Sequence, residues 1–594
     1  MFKNCIMFMF LLGMVSAGLA QNDNKLKGIE KEFEKILEVT QAPGFAVAVV
    51  HGDKTIYAKG FGYQDLENKI PMNENTLLAI GSTSKAFTCA LLGQLKDEGK
   101  LSFEDSPIKH VKELKFFSNE LDHGINIRDL MSHQTGIPRH DVSWYLFPSY
   151  SKDSLIQRIQ YHEPFTGLRQ KWHYNNFMFL LQGVIAERIT GKSWEENIRE
   201  RFFNHLGMER SNLSIEELEQ STNKAIGYEL YKDSINRKMD YYRIAGMAPA
   251  GSINSSVGEM ANWLKLWINN GKFNGEQILP ESYAKAAMSS QAVISGGLPD
   301  KENPDLHMSN YGYGWMISSY RGHYRVEHGG NIDGFSANVA FFPSDSIGIV
   351  VLANQNASFV PRMVRNMISD YLLVEKKFDW LAYYSEIKEK RKEAREKKES
   401  NSQRAQNTKP SHKNISYKGD YFHPGYGTIN VSVKGDSLFA NVKRNSYYLK
   451  HHHYDVFNPI EVTEHGIDTS ETGPLKFNFS TNDAGEISAL NLKLEASLDP
   501  IEFIHKPEVI DVDISKLKGY EGEYEVAGML IKVYTKDDKG LYLFVAGQPE
   551  YQLLASDKNL FLLKGLDGYK VKFAEDNTEL SLIQPNGTFK AIKK

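Results

Sequence analysis

The sequence of 594 residues predicts a large domain of the α/β (α+β) class, an antiparallel sheet flanked by helices, followed by two small all-β antiparallel barrels. Three observations predict this architecture. An amphipathic helix and a hairpin come first, helical patterns fill the middle and apolar strands come last, so one sheet would join both ends of the large domain. A densely charged stretch then interrupts the pattern. Beyond it lie two related runs of short alternating strands, as in small barrels.

The first residues, MFKNCIMFMFLLGMVSAGLAQ, have the pattern of a signal peptide. Lys3 supplies the positive end, residues 6–15 the apolar stretch, and small residues precede Gln21. A membrane anchor is the alternative, but the apolar run is short for a span. We therefore predict that residues 1–20 are removed during export, and no later segment is apolar enough to be transmembrane. Only Cys89 then remains, so no intrachain disulfide can form.

Residues 21–380 are assigned to the large domain. Its hairpin consists of GFAVAVV, the turn HGDK and TIYAKGFGY, and its last strands are YRVEHGG, SANVAFF and IGIVVLAN. A long region of mixed, mainly helical patterns lies between them. The opening helix carries apolar residues at helical spacing, namely Leu26, Ile29, Phe33, Ile36 and Leu37.

The charged stretch EIKEKRKEAREKKESNSQR lies in a linker that we assign to residues 381–412. Its lysines and glutamates alternate, and the formal net charge of the chain is −4, so we predict no nucleic-acid partner. The barrels are assigned to residues 413–507 and 514–594. They form a repeat, because YKGDY at the start of the first returns as YEGEY at the start of the second.

Neither barrel contains a recognisable pair of nucleophile and base. His451, His452 and His453 are three consecutive candidate metal ligands in the first barrel. Adjacent residues of a strand point to opposite faces, so three in a row make a poor ligand set. We therefore predict no metal site.

The stretch GSTSKAFT places Ser82 three positions before Lys85, which is one helical turn. An apolar stretch ends at Gly81 and an apolar helix follows, so Ser82 would lie at a helix start, where free N–H groups can hold an oxyanion. Burial would disfavour the charged form of Lys85, as a general base requires. The spacing alone is weak evidence, since it recurs at Ser106, Ser149, Ser282, Ser385 and Ser515.

Two further stretches accompany this pair. Tyr174 and Asn176 directly precede another apolar helix; the alternative interpretation is that they are a packing residue and a helix cap. The stretch VEHGGNIDGF contains paired glycines in a strand, which indicate either a bulge or an edge along which a substrate backbone lies. In the second interpretation the N–H group of Asn331 would be an oxyanion donor.

Together these motifs resemble the serine β-lactamase and penicillin-binding-protein superfamily. The resemblance runs from about Gln41 to Asn356, and it is closest to the class C, D-aminopeptidase and esterase branch. The motifs S-x-x-K, Y-x-N and H-x-G occur in that order. The connecting phrases NIRDLMSHQTGIP, ITGKSWEENI, FFNHLGM, APAGSINSS and FFPSDSIGIVVLAN are similar as well.

The resemblance implies a mechanism. Ser82 would be acylated, and Lys85 and Tyr174 would handle its proton and that of the leaving group. Asn176 would orient the substrate amide or Lys85. The N–H groups of Ser82 and Asn331 would stabilise the oxyanion before water releases the acyl group. No metal and no organic cofactor are implied.

The third motif bears on the substrate. His328, Gly329 and Gly330 would line the substrate-binding strand. Most β-lactamases and carboxypeptidases of this superfamily have a lysine, as K-T-G, where this chain has His328, and that lysine helps to bind substrate carboxylates. A histidine is largely neutral at pH 7, so we expect weaker attraction for a carboxylate. The H-x-G motif resembles aminopeptidase-like and esterase-like members, some of which carry C-terminal lipocalin-like barrels.

We therefore predict a secreted or periplasmic serine hydrolase that acts on small peptide or amide substrates, like a D-aminopeptidase or DD-peptidase. An esterase or a β-lactamase of the same superfamily is the alternative. A catalytically silent penicillin-binding or partner-binding protein also stays open, although intact Ser82, Lys85 and Tyr174 argue against it. The oligomeric state stays open, a homo-oligomer included.

Overall fold

The computed structural model describes residues 25–299, 307–374, 378–400, 405–443, 445–463, 466–469, 473–506, 509–536, 540–566 and 568–594. The predicted signal peptide lies outside these residues. The described chain forms two compact units. The first comprises the residues up to His140 together with those from Ser149 to Ser400, and the second comprises residues 141–148 and the chain from Ala405 onward.

A nine-stranded antiparallel sheet organises the first unit, which confirms the predicted class. Its strand order is β4-β5-β6-β7-β8-β9-β1-β2-β3, so the first hairpin pairs with the last strand, β1 with β9. Strands β1 and β9 are continuous apolar runs because helices cover both of their faces. The strands are Gly44–His51 (β1), Lys54–Asp65 (β2), Ile70–Pro71 (β3), Ala292–Ser295 (β4), Ser309–Tyr311 (β5), Met316–Tyr320 (β6), His323–Ile332 (β7), Phe335–Phe342 (β8) and Ile347–Ala353 (β9).

Helices lie on both faces of this sheet. On one face, side chains of β1 and β9 pack in one apolar core with the helices Glu30–Thr40 (α1) and Val360–Leu373 (α5). On the other face, Gly348 of β9 lies against Val257–Ile268 (α4), where a Cβ would be 3.2 Å from Leu264. The alternation of strand residues therefore places α1 and α5 opposite α4.

Two buried helices, Lys85–Asp97 (α2) and Asn176–Thr190 (α3), pack together and provide much of the interior of the first unit. The helix Trp380–Ser400 (α6) contains residues 386–400 of the charged stretch. Shorter helices are Asn119–Gly124, Ile127–Ser132, Lys152–Ile156, Trp194–Ile198, Asn204–Leu206, Ile215–Gln220, Ala248–Gly251 and Glu281–Ala287. Two-stranded pairs are Leu78–Ala79 with Asn254–Ser255, Tyr228–Tyr231 with Ile235–Lys238, and Lys272–Phe273 with Glu276–Gln277.

The second unit contains two closed eight-stranded antiparallel barrels, as predicted. Apolar side chains fill the interior of each. The first has strands Gly419–His423, Gly427–Lys434, Ser437–Val442, Asn445–His453, Val456–Glu461, Phe477–Thr481, Ile487–Leu492 and Ile501–Lys506 (β10–β17). The second has strands Gly522–Val526, Met529–Thr535, Leu541–Val545, Tyr551–Asp557, Leu560–Leu563, Lys570–Phe573, Glu579–Gln584 and Gly587–Lys593 (β18–β25). The helices Asp141–Leu146 and Ile514–Leu517 also belong to this unit.

The repeated five-residue stretch has the same structure in both barrels. The hydroxyl of Tyr421 donates to the carbonyl oxygen of Tyr417 at 2.9 Å, and Tyr524 donates to Tyr520 at the same distance. The glycine between them needs an unusual backbone, with φ of +140° at Gly419. The repeated stretch therefore forms the same hydrogen-bonded structure at the start of each barrel.

Within the described residues, no helix is long and apolar enough to cross a membrane.

A buried ionic network anchors β7 in the sheet. Glu327 accepts from Arg365 and from the Asn338 amide at 3.0 Å, and it lies 3.1 Å from Arg325. Burial lowers the pKa of Arg325 to about 10. Because consecutive strand residues face opposite sides, the next residue, His328, faces the other side of the sheet. The network therefore fixes the strand that carries the third motif.

Replacing Glu327 should strongly destabilise the first unit. In Glu327→Gln the guanidinium groups of Arg325 and Arg365 stay buried without their carboxylate, which costs about 3–5 kcal/mol. The control is Glu281→Gln, which breaks an exposed pair with Lys285 and should cost less than about 1 kcal/mol. Urea unfolding followed by tryptophan fluorescence measures both. Equal midpoints for the two variants would contradict the anchoring role.

Candidate active site

A short turn, Gly81–Ser84, presents Ser82 at the start of α2. Its backbone is fixed from within, because Ser84 Oγ donates to the Gly81 carbonyl oxygen at 2.7 Å and Thr83 Oγ1 donates to Ile80 at 3.0 Å. Thr83 and Ser84 are buried, whereas Ser82 is half-buried. The turn is therefore buried except at Ser82, which is partly exposed.

Lys85 lies fully buried one helical turn later. Its Nζ atom is 3.1 Å from Ser82 Oγ, 2.7 Å from Asn176 Oδ1 and 2.7 Å from the carbonyl oxygen of Ala250. These three oxygens come from the turn, from the start of α3 and from the helix Ala248–Gly251. The amine is thus aimed at the serine by two fixed acceptors, which is the geometry of a nucleophile and its base.

The neighbouring Asn175, not Asn176, caps α3. The side chain of Asn175 accepts from the Met178 N–H group at 3.2 Å, while Asn176 Oδ1 is used by Lys85. The cap interpretation of Asn176 is therefore wrong. Asn175 Nδ2 also donates to the carbonyl oxygens of Ile137 and Pro138, at 3.1 and 2.8 Å. These bonds tie a loop to the residue that follows Tyr174.

Strand β7 has an edge that is unpaired beyond Glu327. The partner strand β6 pairs with it only as far as that residue, and the sheet that the structure describes has no further partner on that side. The Ile80–Ser82 segment packs against the face of β7 that carries His328, so closely that a Cβ on Gly330 would lie 2.0 Å from the Ile80 carbonyl oxygen and 3.2 Å from the Ser82 nitrogen. Gly330 is therefore required by close approach of two backbones.

The same approach is seen from the other side of the contact. Gly81 has a φ of +52°, and a Cβ there would lie 2.9 Å from the Asn331 nitrogen. The backbone nitrogens of Ser82 and Asn331 therefore both lie where the turn and β7 meet. The side chain of Asn331 is directed elsewhere, because its Oδ1 accepts from Ser336 Oγ at 2.7 Å. Paired N–H groups of this kind suit a tetrahedral oxyanion.

Gly329 differs from Gly330. A Cβ at Gly329 would meet only the Ala337 carbonyl oxygen, at 3.8 Å, so no packing requires a glycine there. It leaves open space beside the free edge. The two glycines therefore have different roles. Gly330 allows the Ser82 turn to pack closely against the strand, and Gly329 leaves open space beside it.

His328 is buried and neutral. Its Nδ1 lies 2.6 Å from the Gly329 carbonyl oxygen, and its Nε2 lies 3.0 Å from the Tyr311 hydroxyl. Since a carbonyl only accepts, Nδ1 carries the proton and Nε2 accepts from Tyr311. Burial, with the nearby Lys85 charge as the second cause, lowers the pKa of His328 to about 3. The imidazole therefore supplies no positive charge near neutral pH.

Tyr174 is half-buried in a ring of aromatic side chains. The His133 ring centroid lies 4.5 Å from it, the His328 centroid 6.1 Å and Lys85 Nζ 4.9 Å. His133 Nδ1 accepts from the Asn175 N–H group at 3.0 Å, so His133 braces the chain directly beside Tyr174. Burial, followed by the Lys85 charge, holds the pKa of His133 well below its usual range.

Three of the other Ser-x-x-Lys pairs have a different environment. Their lysines make ion pairs with carboxylates, whereas Lys85 Nζ lies within 3.1 Å of three neutral oxygens. The ion pairs are Lys109 with Asp105, Lys152 with Glu187 and Lys285 with Glu281. Acceptor chemistry therefore separates the Ser82 pair from these three, as sequence spacing alone does not.

The structure brings the eight predicted site residues together around the Ser82 turn. Sequence reasoning missed four contributors: His133, Arg139, the Ala250 carbonyl and Tyr311. Arg139 places its guanidinium carbon 5.1 Å from the Tyr174 ring centroid. The phrases NIRDLMSHQTGIP and APAGSINSS contain His133 and Ala250, so their similarity to known phrases was the signal that could have identified them. A carbonyl oxygen leaves no trace in side-chain pattern.

Comparison with known proteins agrees with this arrangement. The profile of the family described as Beta-lactamase matches residues 29–370, and a family described as Domain of unknown function (DUF3471) matches residues 403–504. Unguisins hydrolase ungD' of Aspergillus campestris is 29% identical over 429 residues, 68% of this chain and 78% of that protein. Protein flp of Staphylococcus aureus N315 is 26% identical over 348 residues, 58% of this chain and 66% of flp.

The octameric penicillin-binding protein homologue from Pyrococcus abyssi has a similar fold. Its TM-score is 0.54 at 21% identity, and the similarity covers 79% of this chain and 98% of that one. The fold and the site define a serine hydrolase of the β-lactamase and penicillin-binding-protein type. Because the family profile covers more than half of its length, the chain belongs to the Beta-lactamase family.

The two glycines of β7 offer a matched test of the close approach. Gly330→Ala should push the Ser82 turn away from the strand and reduce Ser82 acylation by about 100-fold or more, the loss expected when an oxyanion donor is displaced. Gly329→Ala has room for its methyl group and should retain activity within a few-fold. Second-order labelling rates with a fluorophosphonate measure both. Similar rates for the two variants would show that the approach is not needed.

His328 should make the protein sensitive to acid. The folded pKa of about 3 lies below the ordinary value of 6.5, so as pH falls below 6.5 the unfolded chain takes up a proton that the folded protein does not. Each pH unit then favours unfolding by up to about 1.4 kcal/mol. His328→Gln keeps an acceptor for Tyr311 but cannot take up this proton.

We therefore expect the free energy of unfolding to fall less steeply for His328→Gln than for the wild type between about pH 6.5 and pH 4.5. Urea titrations at several pH values measure the two slopes. Parallel slopes would mean that His328 is already protonated in the folded protein, or not buried.

Proposed function

We propose that the protein is an exported serine hydrolase that cleaves peptide amides through an acyl-enzyme on Ser82. The observation that carries this proposal is the contact of 3.1 Å between Ser82 Oγ and a buried Lys85 Nζ, which is itself held by two other oxygens. A serine hydroxyl is a weak nucleophile until an adjacent base accepts its proton.

In the proposed reaction, Ser82 Oγ attacks the acyl carbonyl carbon and its proton passes to Lys85 or Tyr174. The carbonyl oxygen becomes an oxyanion that accepts from the N–H groups of Ser82 and Asn331. Collapse of this intermediate breaks the bond to the leaving group, which takes the proton. Tyr174 is suited to deliver it, since it is half-buried and its ring centroid lies 4.9 Å from Lys85 Nζ.

Hydrolysis of the ester to Ser82 completes the cycle. Water loses a proton to Lys85 or Tyr174 as it attacks, and the serine hydroxyl is restored as the acid leaves. Asn176 holds Lys85 in position throughout, because its Oδ1 is 2.7 Å from Nζ.

The lack of charge on His328 supports a preference for peptide amides that have no carboxylate at this position of the substrate. A neutral His328, held by Tyr311 and the Gly329 carbonyl, attracts an anion less than the lysine found at this place in most β-lactamases. The free edge of β7 beside Gly329 suits an extended backbone, because its N–H and C=O groups can pair with a peptide. D-residues in the substrate and the periplasmic or extracellular location form part of the proposal.

The decisive experiment combines trapping with a panel of substrates. We expect a fluorophosphonate adduct on Ser82 by intact mass and peptide mapping. Ser82→Ala should lose labelling and lower turnover by roughly 10⁴-fold or more. Ser282→Ala, at an exposed Ser-x-x-Lys pair whose lysine is paired with Glu281, is the matched control and should keep labelling. An adduct on another serine would refute the assignment.

The panel contains D- and L-aminoacyl amides, D-Ala-D-Ala peptides, short esters and nitrocefin. Faster turnover of amides than of nitrocefin supports the proposal. Turnover of esters alone would make the protein an esterase, and preference for nitrocefin would make it a β-lactamase. Absence of labelling by fluorophosphonate and by a fluorescent penicillin would instead indicate a silent binding protein.

A further inference from the structure

A short helix beside the candidate site directs two of its carbonyl oxygens at α2. The helix Ala248–Gly251 has four residues, and a single helical turn is not stable by itself. The last carbonyl groups of a helix have no partner within it. Here Lys85 Nζ lies 2.7 Å from the Ala250 carbonyl oxygen, and Thr88 Oγ1 donates to the Pro249 carbonyl oxygen at 2.7 Å. Two side chains of α2, one turn apart, therefore hold this helix.

The Thr88 hydroxyl is the middle of a buried chain of hydrogen bonds. Trp194 Nε1 donates to Thr88 Oγ1 at 3.1 Å, and both residues are fully buried. An indole N–H group only donates and a carbonyl oxygen only accepts, so the threonine accepts from Trp194 and donates to Pro249. Hydrogen bonds arranged in this order polarise and strengthen one another. The chain of bonds therefore has one possible direction, which ends on the short helix.

The other end of this chain is fixed by α3. The Trp194 N–H group donates to Glu187 Oε1 at 2.8 Å, in the last turns of α3. Earlier in the same helix, a Cβ on Gly183 would lie 2.2 Å from Pro249 Cγ and 3.3 Å from Trp194 Cδ1. A glycine is needed for both rings to approach the α3 backbone so closely. Trp194 and Pro249 therefore both pack on α3, and Thr88 joins them to α2.

The position of the short helix affects where the Lys85 amine points. The Ala250 carbonyl oxygen is one of the acceptors that hold Lys85 Nζ at 3.1 Å from Ser82 Oγ. It belongs to the residue directly after Pro249, so a shift of the Pro249 carbonyl group displaces it as well. A displacement of about 1 Å at a reacting group can reduce a rate by about 100-fold. Bonds to Pro249 can therefore influence the nucleophile without touching it.

We infer that Thr88 and Trp194 are positioning residues for the general base. They fix the Pro249 carbonyl group, and the next carbonyl group, that of Ala250, then orients the Lys85 amine. The alternative is that the threonine hydroxyl satisfies a buried carbonyl group and contributes to stability alone. The inference rests on the proposed function, in which the lysine amine accepts the proton of the serine.

The test is the second-order rate of Ser82 labelling by a fluorophosphonate, measured on the full chain. Thr88→Val is close in size but removes the hydroxyl that donates to Pro249. It should lower the labelling rate by about 10- to 100-fold, because the short helix loses a fixed position. Thr88→Ser keeps the hydroxyl and should label within about threefold of the wild type. A role in stability alone predicts a lower melting temperature for Thr88→Val with an unchanged rate.

Two further variants separate positioning from general damage. The Thr40 hydroxyl in α1 is also buried and donates to a backbone carbonyl oxygen, that of Ile36, at 2.6 Å. Thr40→Val should therefore lower the melting temperature while its labelling rate stays within about twofold of the wild type. Trp194→Phe keeps an aromatic ring but removes the N–H donor, and it should lower the rate by about 3- to 10-fold. It takes the place of Thr88→Val if that variant does not fold.

The outcomes are distinguishable. A wild-type rate in folded Thr88→Val, or in Trp194→Phe where Thr88→Val does not fold, would overturn the inference. Equal losses in Thr88→Val and Thr88→Ser, or an equal loss in Thr40→Val, would overturn it too. Absence of labelling in the wild type would overturn the proposed function instead.

Hydrogen exchange gives a measurement of the short helix that does not depend on activity. The Ser252 N–H group donates to the Ala248 carbonyl oxygen at 3.1 Å and so closes this single turn. Exchange of this N–H group should be about tenfold faster in Thr88→Val than in the wild type and unchanged in Thr88→Ser, because the turn is released only when the hydroxyl is lost. Equal exchange in all three proteins would show that Thr88 does not fix the turn.

Discussion

Lys85 brings its amine into the interior of the large domain, where three oxygens from separate elements receive it. A buried cation without such partners would cost several kcal/mol, so the turn at Ser82, the start of α3 and the helix Ala248–Gly251 must all be in place together. The same bonds that make Lys85 tolerable also aim it at Ser82. Stability and chemistry therefore depend on one set of contacts, and damage to any of the three elements reaches the nucleophile.

Strand β7 carries polar side chains with different roles on the two faces of the sheet. On one face Glu327 neutralises two buried arginines, and on the other His328 is held neutral by Tyr311. Further along, Gly330 allows the serine turn to pack closely against this second face of the strand. The ionic network thus holds the strand on one face of the sheet, while the His328 side chain on the other face carries no charge near neutral pH.

Local patterns predicted a large part of this molecule. Hairpins, apolar strands and the repeated YKGDY stretch are written in adjacent residues, and the order of three short motifs indicated the site. The features that the sequence did not predict depend on contacts between distant residues or on backbone groups. The choice between Asn175 and Asn176 as cap depends on where Lys85 lies, and Ala250 contributes only a carbonyl. Arg325 and Arg365 look like surface residues in the sequence. Nothing in the sequence near Phe147 indicates that its side chain packs in the core of the first barrel, where its ring stacks 5.7 Å from that of Phe503.

The position of Phe147 also sets an order of events during synthesis. Domains emerge and fold from the N-terminus, so the segment around Phe147 leaves the ribosome long before Phe503 exists. At typical elongation rates the interval is of the order of tens of seconds. During that time Leu146 and Phe147 have no core to enter, and a chain interrupted before the first barrel exposes them permanently. Only a chain that includes the first barrel therefore conceals this apolar pair from chaperones and proteases.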